Sequence, residues 1–324
     1  MSELCARRRA DVFSLPMNVS FRRVAHREGM LLHGPAGVGE FSPFWDYGVA
    51  ESASWLAAAL EAADVGFPPA VRDEVPVNCT VPAVPPDEAV GIVTGPHGCT
   101  TAKVKVAEPG QSLEDDIARV GAVRDAMGPQ ARIRVDANGG WTVDEAVVAV
   151  RELSRLGLEY VEQPTATVEE MAEVRRSVDV PVAADESIRR AADPLRVVRL
   201  GAADIAVLKV QPLGGVRACL RLAEQIGIPV VVSSALESSV GIAAGVALAA
   251  ALPDLPYACG LATTALLAKD LTAAPMAPTG GSIVVRRVAP DPAHVDAARA
   301  DPETAGRWRE RLTACEDALR SGIR

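Results

Sequence analysis

Lysine is nearly missing from this chain: Lys103, Lys105, Lys209 and Lys269 are the four among 33 basic residues in 324. Aromatic residues make up only 4 %, and the histidines number four. The six cysteines, Cys5, Cys79, Cys99, Cys219, Cys259 and Cys315, form no CxxC pair. Such scattered thiols exclude a disulfide framework or zinc–thiolate site and are expected to be free and buried. The longest charge-free apolar stretch, about 238–253, falls short of the ~20 residues that cross a bilayer and is broken by serine and glycine. It predicts a buried helix and no membrane partner. Arg7, Arg8 and Arg9 lead straight to Asp11 rather than to an apolar run and a cleavage site, so a cytoplasmic protein is expected. Positive charge is in deficit as well: the net charge is −9, which disfavours a nucleic-acid backbone as partner.

The chain is rich in apolar residues, 49 % of the total, enough for one barrel-sized core or two ordinary ones and too many for disorder. From about residue 75 a β-branched run, a turn and a helical stretch recur. The strand candidates are 76–80, 102–106, 132–136, 159–162, 181–185, 204–209, 229–233 and 256–260. Helix starts lie between them: Ser112 with Asp115, Thr142 with Glu145 and Thr167 with Glu170 have the spacing of an N-cap and its acidic first turn. Strands alternating with helices predict parallel strands joined by crossovers. Eight such units favour an α/β fold of the closed (β/α) barrel type, with an open doubly wound sheet as the alternative.

The flanks read differently. Residues 1–74 predict a hairpin over about 29–41, an aromatic loop (Phe41, Phe44, Trp45, Tyr47) and an Ala-rich helix at about 51–63, together a small α+β cap. The barrel is assigned to 75–270. The extension 271–324 carries a strand at 282–286 and a charged helix at about 301–320, part of it packing on the cap.

In a barrel of this kind chemistry sits at the C-terminal ends of the strands. Five successive strands end in Lys105, Asp136, Glu162, Asp185 and Lys209. Three carboxylates in one mouth repel one another unless a cation neutralises them, and oxygen-only ligands suit Mg²⁺ or Mn²⁺. The bland reading, that each acid caps the helix after it, serves one such residue better than three in succession. Asn138, Gln163 and Glu186 follow the acids as outer supports. Lys103 and Lys105, two apart on a strand, face the same way. Two ammonium groups that close disfavour each other's charge, which suits one of them to act as a base; a solvated edge pair is the alternative. The Gly34–Gly39 segment holds a GxG in a hairpin rather than between strand and helix, which excludes a dinucleotide loop. The serines at 233–239 lack GxSxG, which removes the hydrolase reading.

Lys103-Val-Lys105, Asp136-Ala-Asn-Gly-Gly-Trp141, Val161-Glu-Gln-Pro164, Ala184-Asp-Glu-Ser187 and Leu208-Lys209, in this order, resemble the enolase superfamily, in its branch with a (β/α)₇β TIM-like barrel and an α+β capping domain. The resemblance spans nearly the whole chain. It implies that Asp136, Glu162 and Asp185 bind Mg²⁺ or Mn²⁺ and that Lys105 and Lys209, with Lys103, flank a small-molecule carboxylate. Arg134, two before the first acid, and Ser233-Ser-Ala-Leu-Glu-Ser-Ser-Val-Gly241 resemble the superfamily's dehydratases that make o-succinylbenzoate from 2-succinyl-6-hydroxy-2,4-cyclohexadiene-1-carboxylate for menaquinone. That likeness assigns substrate contacts to Arg134, Ser233, Ser234, Ser238 and Gly260; for Ser238, a helix N-cap is the competing role. N-acylamino acid racemases and dipeptide epimerases share the scaffold, but 257–261 lacks the Asp-x-Asp expected of a dipeptide epimerase.

Overall fold

The fold is described from a computed structural model for residues 8–21 and 24–322. It begins with an antiparallel sheet of β1 (Ala10–Phe21), β2 (Val24–Gly34) and β3 (Gly37–Phe41), the last two joined as the predicted hairpin. β1 was not foreseen: its ladder shifts after Pro16, which donates no hydrogen bond, so the run has no clean period-two pattern. The helix Val49–Leu60 follows, and the C-terminal helix Pro302–Ser321 packs beside it. Phe41, Trp55, Leu56, Trp308 and Leu312 form their shared core, Phe41 meeting Trp308 edge-on at 5.8 Å.

The predicted strand 76–80 divides. β4 (Glu74–Pro76) pairs antiparallel with a late strand, Ser282–Val284, and only β5 (Cys79–Val81) enters the barrel. From there β6 (Thr101–Lys105), β7 (Arg132–Asp136), β8 (Leu158–Glu162), β9 (Val182–Ala184), β10 (Ile205–Leu208) and β11 (Val230–Val232) add in chain order to one parallel sheet. β6, β9, β10 and β11 are rich in valine and alanine because parallel strands are covered on both faces. Ser112, Thr142 and Thr167 form capping boxes with Asp115, Glu145 and Glu170, as their spacing predicts.

The eighth strand, expected over 256–260, shrinks to two bridges. Cys259 pairs with Val77, and Gly260 with Ser233. Cys259 N donates to Pro76 O at 2.7 Å and Gly260 N to Val232 O at 2.8 Å, which closes the barrel with two residues. A Cβ at Gly260 would stand 2.5 Å from Ser233 Oγ, so a larger residue there must displace the Ser233 side chain. The charge-free stretch becomes the helix Ser239–Ala251, buried from Ser239 to Ala250 and touching both β3 and β11. None of the helices described is long and apolar enough to cross a membrane.

Candidate active site

Register does most of the positioning. Lys105 pairs with Asp136 between β6 and β7, and Asp136 pairs with Glu162 between β7 and β8, so the three share one rung at the C-terminal rim. Lys105 Nζ lies 2.6 Å from Asp136 Oδ2 and also bonds Asn138 Oδ1. Lys103 Nζ bridges Glu162 at 2.9 Å and Asp136 at 3.2 Å. Across the mouth Lys209 Nζ donates to Asp185 Oδ2 at 2.7 Å, while Arg189 Nε holds the other oxygen at 2.9 Å. Gln163 Oε1 accepts from the backbone amides of Asp185 and Ser187, both at 3.1 Å, and Asn138 Nδ2 donates to Glu186. The outer polar residues thus tie adjacent strand ends together.

All these charges except that of Glu186 are buried, and burial works on their proton affinities. It works against the Asp136 carboxylate, but Lys105 and Lys103 prevail and hold that group far below the usual range. Burial also opposes the Lys103 ammonium, and Glu162 and Asp136 prevail to keep it protonated. Lys209 is shifted down, chiefly by burial. Burial and the charge on Asp136 push Glu162 up; burial and Glu186 push Asp185 up to about 6.

Among the described residues no three acidic, histidine or cysteine side chains converge as a metal cluster. The expected ligands Asp136, Glu162 and Asp185 are instead interleaved with ammonium groups, each carboxylate taking its nearest lysine. The donor set nevertheless fits a hard divalent ion. It is all oxygen, it lies on three adjacent strand ends, and burial together with the charges of Asp136 and Asp185 raises the proton affinity of Glu162.

Lys103, Lys105, Asp136, Asn138 and Lys209 line a cavity of about 30 Å³, with Thr80, Ser233, Ser234, Leu236 and Gly260 on its wall and Phe44 reaching in from the cap. A larger cavity of about 330 Å³ shares Phe44 with it and runs between Tyr47, Arg190 and Trp308. Ser233, Ser234 and Gly260 are therefore placed where substrate contacts were expected. Arg134 and Ser238 are not. Arg134 lies one storey down, paired with Glu159 at 2.5 Å and donating to Ala258 O at 2.6 Å. Ser238 caps the helix Ser239–Ala251 and donates its hydroxyl to Glu40. The Ser238 hydroxyl is thus committed within the protein, and of the Arg134 guanidinium only the buried Nη2 has no hydrogen-bond partner among the described residues. Thr80 was overlooked; it lies in the first barrel strand, opposite Lys103 in the second. Its buried hydroxyl has no hydrogen-bond partner among the described residues.

The backbone marks the same rim. The described non-glycine residues with left-handed φ are Ala107, Asn138, Gln163 and Leu236. The first three lie one or two residues beyond Lys105, Asp136 and Glu162, and the fourth lies in the loop after β11. Strain of this kind persists only where surroundings enforce it, and it gathers at functional sites.

Residues 92–291 match the family described as enolase C-terminal domain-like, and residues 12–63 the one described as enolase N-terminal domain-like. An o-succinylbenzoate synthase of Thermobifida fusca is 61 % identical over 94 % of this chain and 95 % of its own. One of Mycobacterium tuberculosis is 55 % identical over 96 % and 94 %. Among solved structures, muconate lactonizing enzyme from Pseudomonas fluorescens superposes with a TM-score of 0.77 at 22 % identity, covering 90 % of this chain and 98 % of that one. N-succinyl Arg/Lys racemase from Bacillus cereus does so with 0.76 at 21 %, covering 90 % and 97 %. At these identities the structures speak for the shared barrel-and-cap fold alone, whereas the two synthases match nearly end to end. The chain belongs to the enolase superfamily, in the family of the o-succinylbenzoate synthases.

Proposed function

We propose that this protein is the lyase its relatives are named for, dehydrating 2-succinyl-6-hydroxy-2,4-cyclohexadiene-1-carboxylate to o-succinylbenzoate. The observation that carries the chemistry is the pair of lysines on opposite sides of the mouth: Lys105 on the Asp136–Glu162 rung and Lys209 against Asp185. Lys105, as the free amine, removes the proton α to the ring carboxylate. The electron pair enters the carboxylate as an enediolate, and its return expels the ring hydroxyl, which takes the proton back from Lys105 and leaves as water on the same face. Lys103, held protonated by Glu162 and Asp136, is a fixed cation beside that rung. Lys209 faces the developing enediolate as a cation. Asp136, Glu162 and Asp185 would hold Mg²⁺ or Mn²⁺, which when bound polarises the substrate carboxylate and eases loss of the α-proton. Ser233, Ser234 and Gly260 line the side where the succinyl group would lie.

We assign this chemistry to 75–270 and substrate enclosure to 1–74 with the packed part of 271–324, and place the enzyme in the cytoplasm, in menaquinone synthesis. The test is direct. Purified protein with Mg²⁺ and the cyclohexadiene should release o-succinylbenzoate, and failure to form the aromatic product under either metal would contradict the assignment.

A further inference from the structure

The loop between β11 and the helix Ser239–Ala251 forms one wall of the reaction cavity, yet what fixes its shape comes from the cap. Arg27, on β2, is buried and directs its guanidinium at that loop: Nε donates to Leu236 O at 2.9 Å and Nη2 to Ala235 O at 3.2 Å. The same Nη2 donates to the Ser42 carbonyl and hydroxyl. Leu236 is one of the left-handed residues, at φ 63°, so its carbonyl needs an external hold. Glu40, on β3, grips the other end. Its carboxylate accepts from the amides of Ser238 and Gly241, each at 3.1 Å, and from the Ser238 hydroxyl, at the start of the buried helix. Gly241 permits that approach, since a Cβ there would stand 3.0 Å from Glu40 Oε2 and closer still to Glu237. Between the two grips, Glu237 turns back to accept from Ala235 N at 2.6 Å. Gln211, two residues beyond Lys209, completes the cluster by accepting from Ser42 N at 3.2 Å.

We propose that Arg27 and Glu40 are positioning residues: the cap, through them, holds the 235–238 loop in the one shape that turns the carbonyls of Ala235 and Leu236 away from the cavity. The chemistry explains why this matters to the reaction assigned above, on which the inference rests. A carbonyl oxygen aimed into the mouth would repel a carboxylate substrate, whereas one bonded to a guanidinium inside the protein does not. Arg27 also stacks on Phe44, 4.3 Å from its ring centroid, so the same side chain steadies the cap residue that reaches the cavity. Neither residue touches the rung that carries Lys105, so the bond-making steps are untouched and the effect falls on binding.

Arg27→Met should therefore raise KM for the cyclohexadiene at least tenfold while kcat stays within threefold, and Arg27→Lys should recover part of the loss. Glu40→Ala should raise KM in the same sense. Hydrogen exchange in each purified variant supplies a reading that needs no substrate: amides of 236–241 should exchange at least tenfold faster, with those of β6–β8 unchanged. A variant in which these amides exchange as in the parent protein would overturn the inference, as would a fall in kcat with KM unchanged. Should Arg27→Met fail to fold, Arg27→Lys and Glu40→Ala decide by the same two readings. If the parent protein proves inactive on the cyclohexadiene, the functional assignment falls while the exchange result still judges the clamp.

Discussion

Arg134 and Asp136 stand two residues apart on β7, both buried in the barrel lumen and both charged, yet their surroundings are built differently. Arg134 is held by fixed partners, Glu159, the Ala258 carbonyl, Asn78 and the rings of Tyr160 and Tyr257, 4.7 and 5.7 Å away, with only its Nη2 left without a hydrogen-bond partner among the described residues. Beside those rings lie Ala183, Ile205, Val207 and Val231, an apolar floor. Asp136, one storey higher, takes one fixed bond, from Asn138 N at 3.1 Å, and otherwise meets lysine ammonium groups on flexible stems, which an ion or a substrate can replace. The left-handed residues also gather at the upper storey. A buried charge held by backbone and packed rings serves the fold; one held by exchangeable counter-charges serves chemistry.

That comparison is broken most severely by emptying the upper storey. Chelation should abolish turnover, and Mg²⁺ or Mn²⁺ should restore it, with the thermal transition still cooperative throughout. Next in size, Lys105→Arg keeps the charge and removes the base, so kcat should fall by about 10³- to 10⁴-fold with Tm nearly unchanged. Steady-state kinetics beside a thermal melt read both.

The lower storey should answer in the opposite way. Arg134→Met leaves Glu159 with Arg132 alone and removes the bond to Ala258 O, so stability should fall by about 1–3 kcal/mol, read by urea unfolding, while kcat of the folded fraction stays within threefold. A large loss of kcat at full stability would return Arg134 to the substrate.

pH sharpens the comparison at the cap–barrel seam. Burial and the facing charge of Glu237 push Glu40 up to about 7, against Arg27 and the hydroxyls of Ser238 and Ser42. The folded protein then keeps a proton that the unfolded chain releases near the ordinary 4.5. Glu40 therefore contributes stability below about pH 4.5 that is lost as pH rises to about 7, and no more beyond. Glu40→Gln should flatten the fall in Tm between pH 5 and 7 by about one proton's worth of slope. The smallest effect is expected at Thr80. Thr80→Val removes a hydroxyl that has no partner in the protein, so stability should hold within ~0.5 kcal/mol, while KM rises by about 5- to 10-fold if that hydroxyl meets the substrate.

What could be read in the sequence follows the same division. Strand ends were legible because barrel chemistry sits there and because so few lysines remain, which is how Lys105, Asp136, Glu162, Asp185 and Lys209 were found. Height along a strand was not: two residues amount to about 6.6 Å, enough to place Arg134 among tyrosines instead of at the mouth. Ser238 went to a helix cap because its hydroxyl meets Glu40, 198 residues away in the chain. Arg27 and Leu236 are 209 residues apart, and no local pattern announces such a contact. The eighth strand was foreseen in place but not in length, since Pro256 gives no amide and closure needs only Cys259 and Gly260.

The central claim is that Lys105 acts as the base on one face while Lys209 serves as a cation. It is tested most directly in D₂O with Mg²⁺, following the α-proton by NMR for the cyclohexadiene carboxylate and for both enantiomers of an N-succinylamino acid. The account predicts rapid formation of o-succinylbenzoate and at most slow exchange from either enantiomer. Fast exchange from both, with no aromatic product, would contradict it and make Lys209 a second base.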